Sequence, residues 1–256
     1  MFIDVIAREI LSLVKDIELI VNECLIGFRY SYCEVSDGND KYLGVAITLS
    51  EDLIGVRPTL KIPEKTSDLL EFISSPNPYD RVFGVAFLNA VSAYLLRKKH
   101  SDILRSVDIV DLLDKYIVEP VLLIGNMYPL YRKLVEHGIG GIFIVEKNPL
   151  YRGRDIYPDT SLPRLINRSR TIIITGATLV NDTIDYILEK TKDKVKILVG
   201  PTAAIYPYVL IPKYFDVVAS MIPRDNEMVK KIIKAGGGRW DFSKYCDHYI
   251  VVSGEK

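Results

Sequence analysis

From about residue 118 the chain runs through six short apolar blocks: PVLLIG (120–125), GIFIVE (141–146), TIIITG (171–176), KVKILVG (194–200), DVVAS (216–220) and HYIVV (248–252). Apolar runs without alternation predict strands covered on both faces, and the helical or polar stretches between them predict parallel pairing. Right-handed crossovers then give a doubly wound, Rossmann-like sheet. The first hundred residues have a different rhythm. MFIDVIAREILSLVKD has the spacing of an amphipathic helix. IELIVNECLIGFRYSYCEV and KYLGVAITLS read as strands, with hairpin turn chemistry at Gly38 and Asn39. TSDLLEFISS reads as a short helix capped by Thr66 or Ser67, and SPNPYDRVFGVAFLNAVSAYLLRKK as a proline-marked loop and a long helix. Within that helix, near-helical spacing groups Val82, Val85, Ala86, Asn89, Ala93 and Leu96, so an amide stands inside an apolar stripe. RSVDIVDLLDKYI reads as the connector helix. The expected class is α/β, with an N-terminal α+β domain over residues 1–105 and a Rossmann-like, mostly parallel domain over 106–256.

In such a sheet, ligands bind outside the carboxyl ends of the strands. Three blocks end there in Gly125, Gly176 and Gly200, where a missing side chain permits a sharp turn and a close ligand. Glu146 ends the second block about twenty residues after Gly125, the offset of a ribose-binding acid. The candidate site therefore gathers Gly125 and Asn126, Glu146 and Asn148, Thr175, Gly176, Thr178 and Asn181, and Gly200, Pro201 and Thr202 along one edge. Asn181 has two readings: an amide that orients a ligand beside a helix start, or the N-cap itself. With Thr178 as the cap instead, Val180, Ile184, Ile187 and Leu188 form the buried stripe. On either reading a helix N-terminus faces the site and suits an anion or a polarised carbonyl. Arg152 and Arg154 add positive charge there or are simply solvated.

The loop chemistry narrows the cofactors. After Gly125 come Asn126, Met127, Tyr128, Pro129 and Leu130, so the second and third glycines of a dinucleotide fingerprint are missing. No NAD is expected; adenosylmethionine, which needs fewer glycines, stays open. Pro129 suits a first helical turn. Metal binding is not expected either, because His100, His137 and His248 are scattered and Cys246, Asp247 and His248 lack the paired spacing of a zinc site. The chain has no Gly-x-Ser-x-Gly elbow, Walker A loop or His-Glu-x-x-His. Gly236, Gly237 and Gly238 follow a helical stretch and read as its C-cap.

Charge and cysteine content exclude further classes. Lysine plus arginine equals aspartate plus glutamate, 33 against 33 in 256 residues, so no net field calls for nucleic acid or a membrane surface as partner. The opening helix carries Asp4, Arg8 and Glu9, unlike a signal peptide, and no apolar run reaches membrane-spanning length. Three cysteines, Cys24, Cys33 and Cys246, form no disulfide framework. A cytoplasmic protein is expected, with a small-molecule partner and a homodimer left open.

The segments DRVFGVAFLNAV, VEKNP, TGATLVNDTIDYIL and VGPTAAIYP resemble the archaeal and bacterial family called domain of unknown function 364, also named for heavy-metal chelation. The resemblance covers most of the chain and rests on the Thr-Gly-x-Thr-x-x-Asn-x-Thr and Gly-Pro-Thr blocks. It implies an enolase N-terminal-like α+β domain, then a Rossmann-like domain similar to methyltransferases, with the active site between them. Asn89, Glu146, Asn148, Thr175, Gly176, Thr178, Asn181, Thr183, Gly200 and Pro201 match the family's blocks. The chain lacks a Cys/His cluster, so chelation would act through an organic chelator. The resulting expectation is an enzyme acting on a pterin-, flavin- or siderophore-like molecule, with Glu146, Asn181 and Asn89 as its working groups. The alternative is a non-catalytic binder of a metal or metal–chelator complex.

Overall fold

The long helix of the first half is apolar around its whole circumference, so it must lie between two layers. It is α4 (Pro78–Lys99), and every residue from Gly84 to Leu96 is buried. Asn77 caps it, its side chain accepting from the Tyr79 N–H, and Pro78 takes the first turn. Arg97, Lys98 and Lys99 occupy the last turn, where cations complement the helix dipole. The computed structural model describes residues 1–105 and 114–254.

One layer is a three-stranded antiparallel sheet in the order β1 (Ile20–Leu25), β2 (Tyr30–Ser36), β3 (Lys41–Ile47). On the same side of the chain lie α1 (Phe2–Leu13), a short α2 (Ser50–Leu53) and α3 (Leu69–Ile73). The cap expected from Thr66 or Ser67 does not form. Thr66 donates to the Leu19 carbonyl instead, and the Asp68 carboxylate accepts from the Glu64 and Lys65 N–H groups. Cys24 and Cys33, paired across β1 and β2, form a disulfide. A cysteine count alone carries no register, which is why the sequence did not show that bond.

The second half of the chain forms a seven-stranded sheet in the order β10 (Cys246–Val252), β9 (Val217–Pro223), β8 (Val195–Val199), β7 (Thr171–Thr175), β4 (Val121–Ile124), β5 (Ile142–Glu146), β6 (Tyr157–Pro158). All six apolar blocks are strands. The pairing is parallel except for β10, which runs antiparallel to β9. The two-residue β6 carries no apolar run and left no sequence signal. The proposed connector helix falls mostly on residues 106–113, outside the described residues. Around the sheet lie α5 (Tyr128–Glu136), α6 (Leu162–Arg168), α7 (Ala177–Val180), α8 (Thr183–Lys190), α9 (Asn226–Lys234) and α10 (Arg239–Phe242).

The central strands are largely apolar because they feed two cores. Leu122, Ile124, Ile172, Ile174 and Leu198 join α4 and α1 in the main cluster. Val121, Leu123, Ile173 and Ile197 pack with Leu130 and Leu134 of α5 on the opposite face. The main core is thus continuous from the first half of the chain to the second.

Asn89 closes the seam in polar terms. It has 0% exposure, and its amide donates to the Val45 carbonyl at 2.8 Å and the Thr202 carbonyl at 2.9 Å. Thr202 returns the contact, its hydroxyl accepting from the Ile47 N–H at 2.9 Å. Asn89→Ala should therefore strand two buried carbonyls, each costing about 1–3 kcal/mol. Urea denaturation should show that loss of stability, with Asn89→Asp no better because a carboxylate cannot donate.

Candidate functional site

The chain reverses its direction of travel across the large sheet between β4 and β7, where a ligand crevice is expected in a doubly wound fold. The loops after β4, β5, β7 and β8 meet at that edge. Gly125 has φ +102°, and a Cβ there would sit 2.7 Å from Thr175 Cγ2, so glycine is required by both conformation and space. Gly176 is needed for a different reason than a nearby ligand. A Cβ on it would lie 2.4 Å from the Ala203 nitrogen, so the chain's own 201–203 turn fills the space.

Glu146 is the brace of the β4–β5 side. Its Oε2 accepts from the Asn126 N–H and its Oε1 from the Asn148 N–H, both at 2.8 Å. Asn126 donates its side-chain amide to the Tyr151 carbonyl, and the Asn148 side chain accepts from the Leu150 N–H. Arg152 donates to the backbone carbonyls of Glu146 and Lys147, so it fastens this loop to itself. Glu146 thus holds two loops with the oxygens expected to meet a ligand.

On the β7–β8 side the expected anion site is not built. The helix after Gly176 is α7, four residues long, and the segment after Gly200 is a three-residue 3-10 turn. Neither has the aligned peptides that give a helix end its field. Thr178 does not cap a helix start; its hydroxyl donates back to the Thr175 carbonyl. Asn181 ends α7, and its Oδ1 accepts from Thr183 N at 3.3 Å and Thr183 Oγ1 at 2.8 Å. It therefore organises the turn into α8 from one residue before the N-cap, Asp182. Thr178, Pro201 and Thr202 are buried beneath the first half of the chain, and Asn89 is part of that same covering.

The open space lies beside these loops, at the seam. A cleft of about 350 Å³ is lined by the apolar Leu53, Val56, Pro78, Val82 and Val180 and by the polar Asp52, Ser75, Lys147, Asn181 and Asp182. Of the residues expected from the sequence, Asn181 lines it. Lys147 sits between Glu146 and Asn148 and reaches across to Asp52 of α2 at 3.0 Å. The wall is set by Arg81, whose side chain is 4% exposed. Its guanidinium donates to the carbonyls of Ile73, Leu179 and Val180 and pairs with Asp182. Burial pushes the Asp182 carboxyl above its ordinary range, against the opposing pull of Arg81. The sequence did carry a signal for Arg81: a charge inside a helix with no polar face.

No group of three or more His, Cys, Asp or Glu among the described residues stands close enough to hold a metal ion. Cys246 and His248, near each other in sequence, are buried in β10. The Cys246 thiol is pushed up to about 12, chiefly by burial and then by Asp247. The side chains of the cleft thus do not fit a resident heavy metal. Among the described residues no helix is long and apolar enough to cross a membrane.

This geometry defines a class: a mixed α/β protein whose N-terminal α+β part lies on the strand-end edge of a mostly parallel seven-stranded sheet. The chain belongs to the DUF364 family, described as "Putative heavy-metal chelation", which matches residues 108–252. DUF4213, with the same description, matches residues 9–92. An uncharacterized protein of Methanocaldococcus jannaschii is 31% identical over 213 residues, covering 81% of each chain. A DUF364-family crystal structure from Pyrococcus horikoshii, described as of unknown function, superposes with TM-score 0.83 at 28% identity over 98% of this chain and 100% of that one. A second, from Desulfitobacterium hafniense, has TM-score 0.76 at 16% identity over 97% and 99%, and shares the fold.

The Glu146 brace yields a test. Glutamine offers one acceptor oxygen in place of two, so Glu146→Gln should lose one of the charge-assisted bonds, worth about 1.5–3 kcal/mol. Hydrogen exchange should quicken at the Asn126 or Asn148 amide while β7 and β8 stay protected.

Proposed function

We propose that this protein binds a small organic molecule, apolar in its body and polar at its edge, in the seam cleft between residues 1–105 and residues 106–256. The observation that carries this reading is the cleft itself, lined by both apolar and polar groups beside the edge where doubly wound folds take ligands. Its volume, about 350 Å³, is near the lower end of small-molecule pockets and suits a pterin-sized bicyclic ring better than a dinucleotide.

The polar groups lining the cleft favour recognition over covalent chemistry. Lys147 pairs with Asp52, Asp182 with Arg81, Asn181 with Thr183, and Ser75 donates to Asp80. Glu146, an expected working group, is engaged by two backbone amides. A ligand would exchange hydrogen bonds with Asn181 and Lys147, and the metal of the family's description would arrive already held by an organic chelator. This reading is the non-catalytic alternative raised by the sequence, and it ranks here above an enzyme acting on a pterin-, flavin- or siderophore-like substrate.

Small molecules released by denaturing the purified protein, identified by mass spectrometry, test the proposal directly. Calorimetric titration with a pterin, riboflavin and a ferric catecholate should find one that binds with one-to-one stoichiometry. Val180→Phe should abolish that binding by filling the cleft while the chain still melts cooperatively. Asn181→Ala should weaken it by about 1–3 kcal/mol through the unpaired ligand group, and lower stability less. A chain that releases nothing and binds none of the three would overturn the reading.

A further inference from the structure

The disulfide between Cys24 and Cys33 lies away from the cleft-lining residues and has no part in the function proposed above. The two residues face each other across β1 and β2 with Cα atoms 4.1 Å apart, and only nine residues separate them in sequence. Such a short loop gains little from a crosslink compared with a long one. The strands are joined without it, since β1 pairs with β2 on either side of the cysteines and β2 pairs with β3 at seven positions. The strand pairing on both sides of the bond is made independently of it.

Access to it is one-sided. β1 is the outer strand of its sheet, and Cys24 is partly exposed whereas Cys33 has no exposure. Thiol–disulfide exchange starts with attack on a sulfur, and of the two residues Cys24 is the one with exposed surface. The inner end of the row is sealed. The position after Cys33 is Gly44 on β3, where a Cβ would lie 2.1 Å from the Ala86 oxygen of α4. Cys33 Sγ lies 3.8 Å from the Phe83 carbonyl oxygen, an acceptor for a thiol hydrogen once the bond is open. Helix α4 therefore closes the inner end of this cross-strand row.

We propose that Cys24 and Cys33, once reduced, form a two-coordinate site for a single thiophilic ion. A cellular dithiol supplies two electrons and two protons, leaves as its own disulfide, and gives two protein thiols. A divalent soft ion then forms two metal–sulfur bonds and displaces two protons to solvent. Thiolates select soft ions, and ions that favour linear coordination need only two of them, unlike the four ligands of structural zinc. The site needs no third protein donor, so it stands apart from the absence of larger donor groups among the described residues. The oxidised chain has no such site, which makes capture conditional on reducing conditions.

The test uses the full chain, treated with dithiothreitol, desalted without oxygen and mixed with one equivalent of mercuric ion or phenylarsine oxide. Native mass spectrometry should show one adduct per reduced chain and none per oxidised chain. Cys246→Ser should keep the adduct, and Cys24→Ser with Cys33→Ser should lose it. Should the double variant fail to fold, a thiol count on the reduced, folded wild type replaces it, with two fast-reacting thiols expected. A disulfide that survives dithiothreitol in the folded chain would overturn the proposal, as would a reduced chain without an adduct or an adduct retained by the double variant. Ligand binding in the cleft is read separately and should be unchanged by the serine variants, so the two proposals fail independently.

Discussion

Arg81 carries a full positive charge almost out of reach of water, and the arrangement of the two layers follows from keeping it satisfied. Its donors are taken by carbonyls of α3 and α7 and by the Asp182 carboxylate. An uncompensated buried charge costs about 3–5 kcal/mol when its partners are removed. The first half of the chain therefore cannot lift from α7 without stranding a guanidinium, two α7 carbonyls and the Asp182 carboxylate. Asp182 holds φ +60°, a conformation unfavourable for a residue with a Cβ, and its ion pair with Arg81 helps to hold it there. That left-handed residue turns α7 into α8, and the same turn places Asn181 on the cleft.

The second consequence is where the opening lies. A bare doubly wound sheet would take a ligand across the whole edge at its switch point. Here Thr202, Asn89 and Val45 bind the β8 loop to the first half, so that end is shut. The cleft is what remains between α2 and the loops after β5 and β7. Its lining is shared by both halves, so a side chain from either can change its shape.

The strand blocks were legible because burial on both faces leaves few polar positions, so that runs such as TIIITG or KVKILVG stand out. The seven-stranded sheet was largely readable for that reason. The β6 pair and the antiparallel return of β10 were not, since two residues carry no period and apolarity does not encode direction. Candidate residues divided along a similar line. Glycines, threonines and asparagines at strand ends stand out in the sequence, but a single sequence does not reveal whether such a residue faces a ligand or the protein. Asn89, Gly176 and Thr202 face the protein. Lys147 and Asp52 were missed because their partnership spans 95 residues and joins α2 to the loop after β5, which local spacing does not record.

The family's description gains a physical shape from the placement of donor atoms in this chain. The carboxylates and amides around the cleft are hard oxygen and nitrogen groups already paired with cations or with backbone. They suit an organic ligand better than a bare soft ion. The paired sulfurs of Cys24 and Cys33 belong to a different surface, at the outer edge of the antiparallel sheet, with its cross-strand row closed at the inner end by α4. Soft and hard chemistry are thus kept on separate elements. An organic chelate and a bare thiophilic ion would then meet this protein at different places. Only capture of the bare ion would depend on whether the Cys24–Cys33 bond is open.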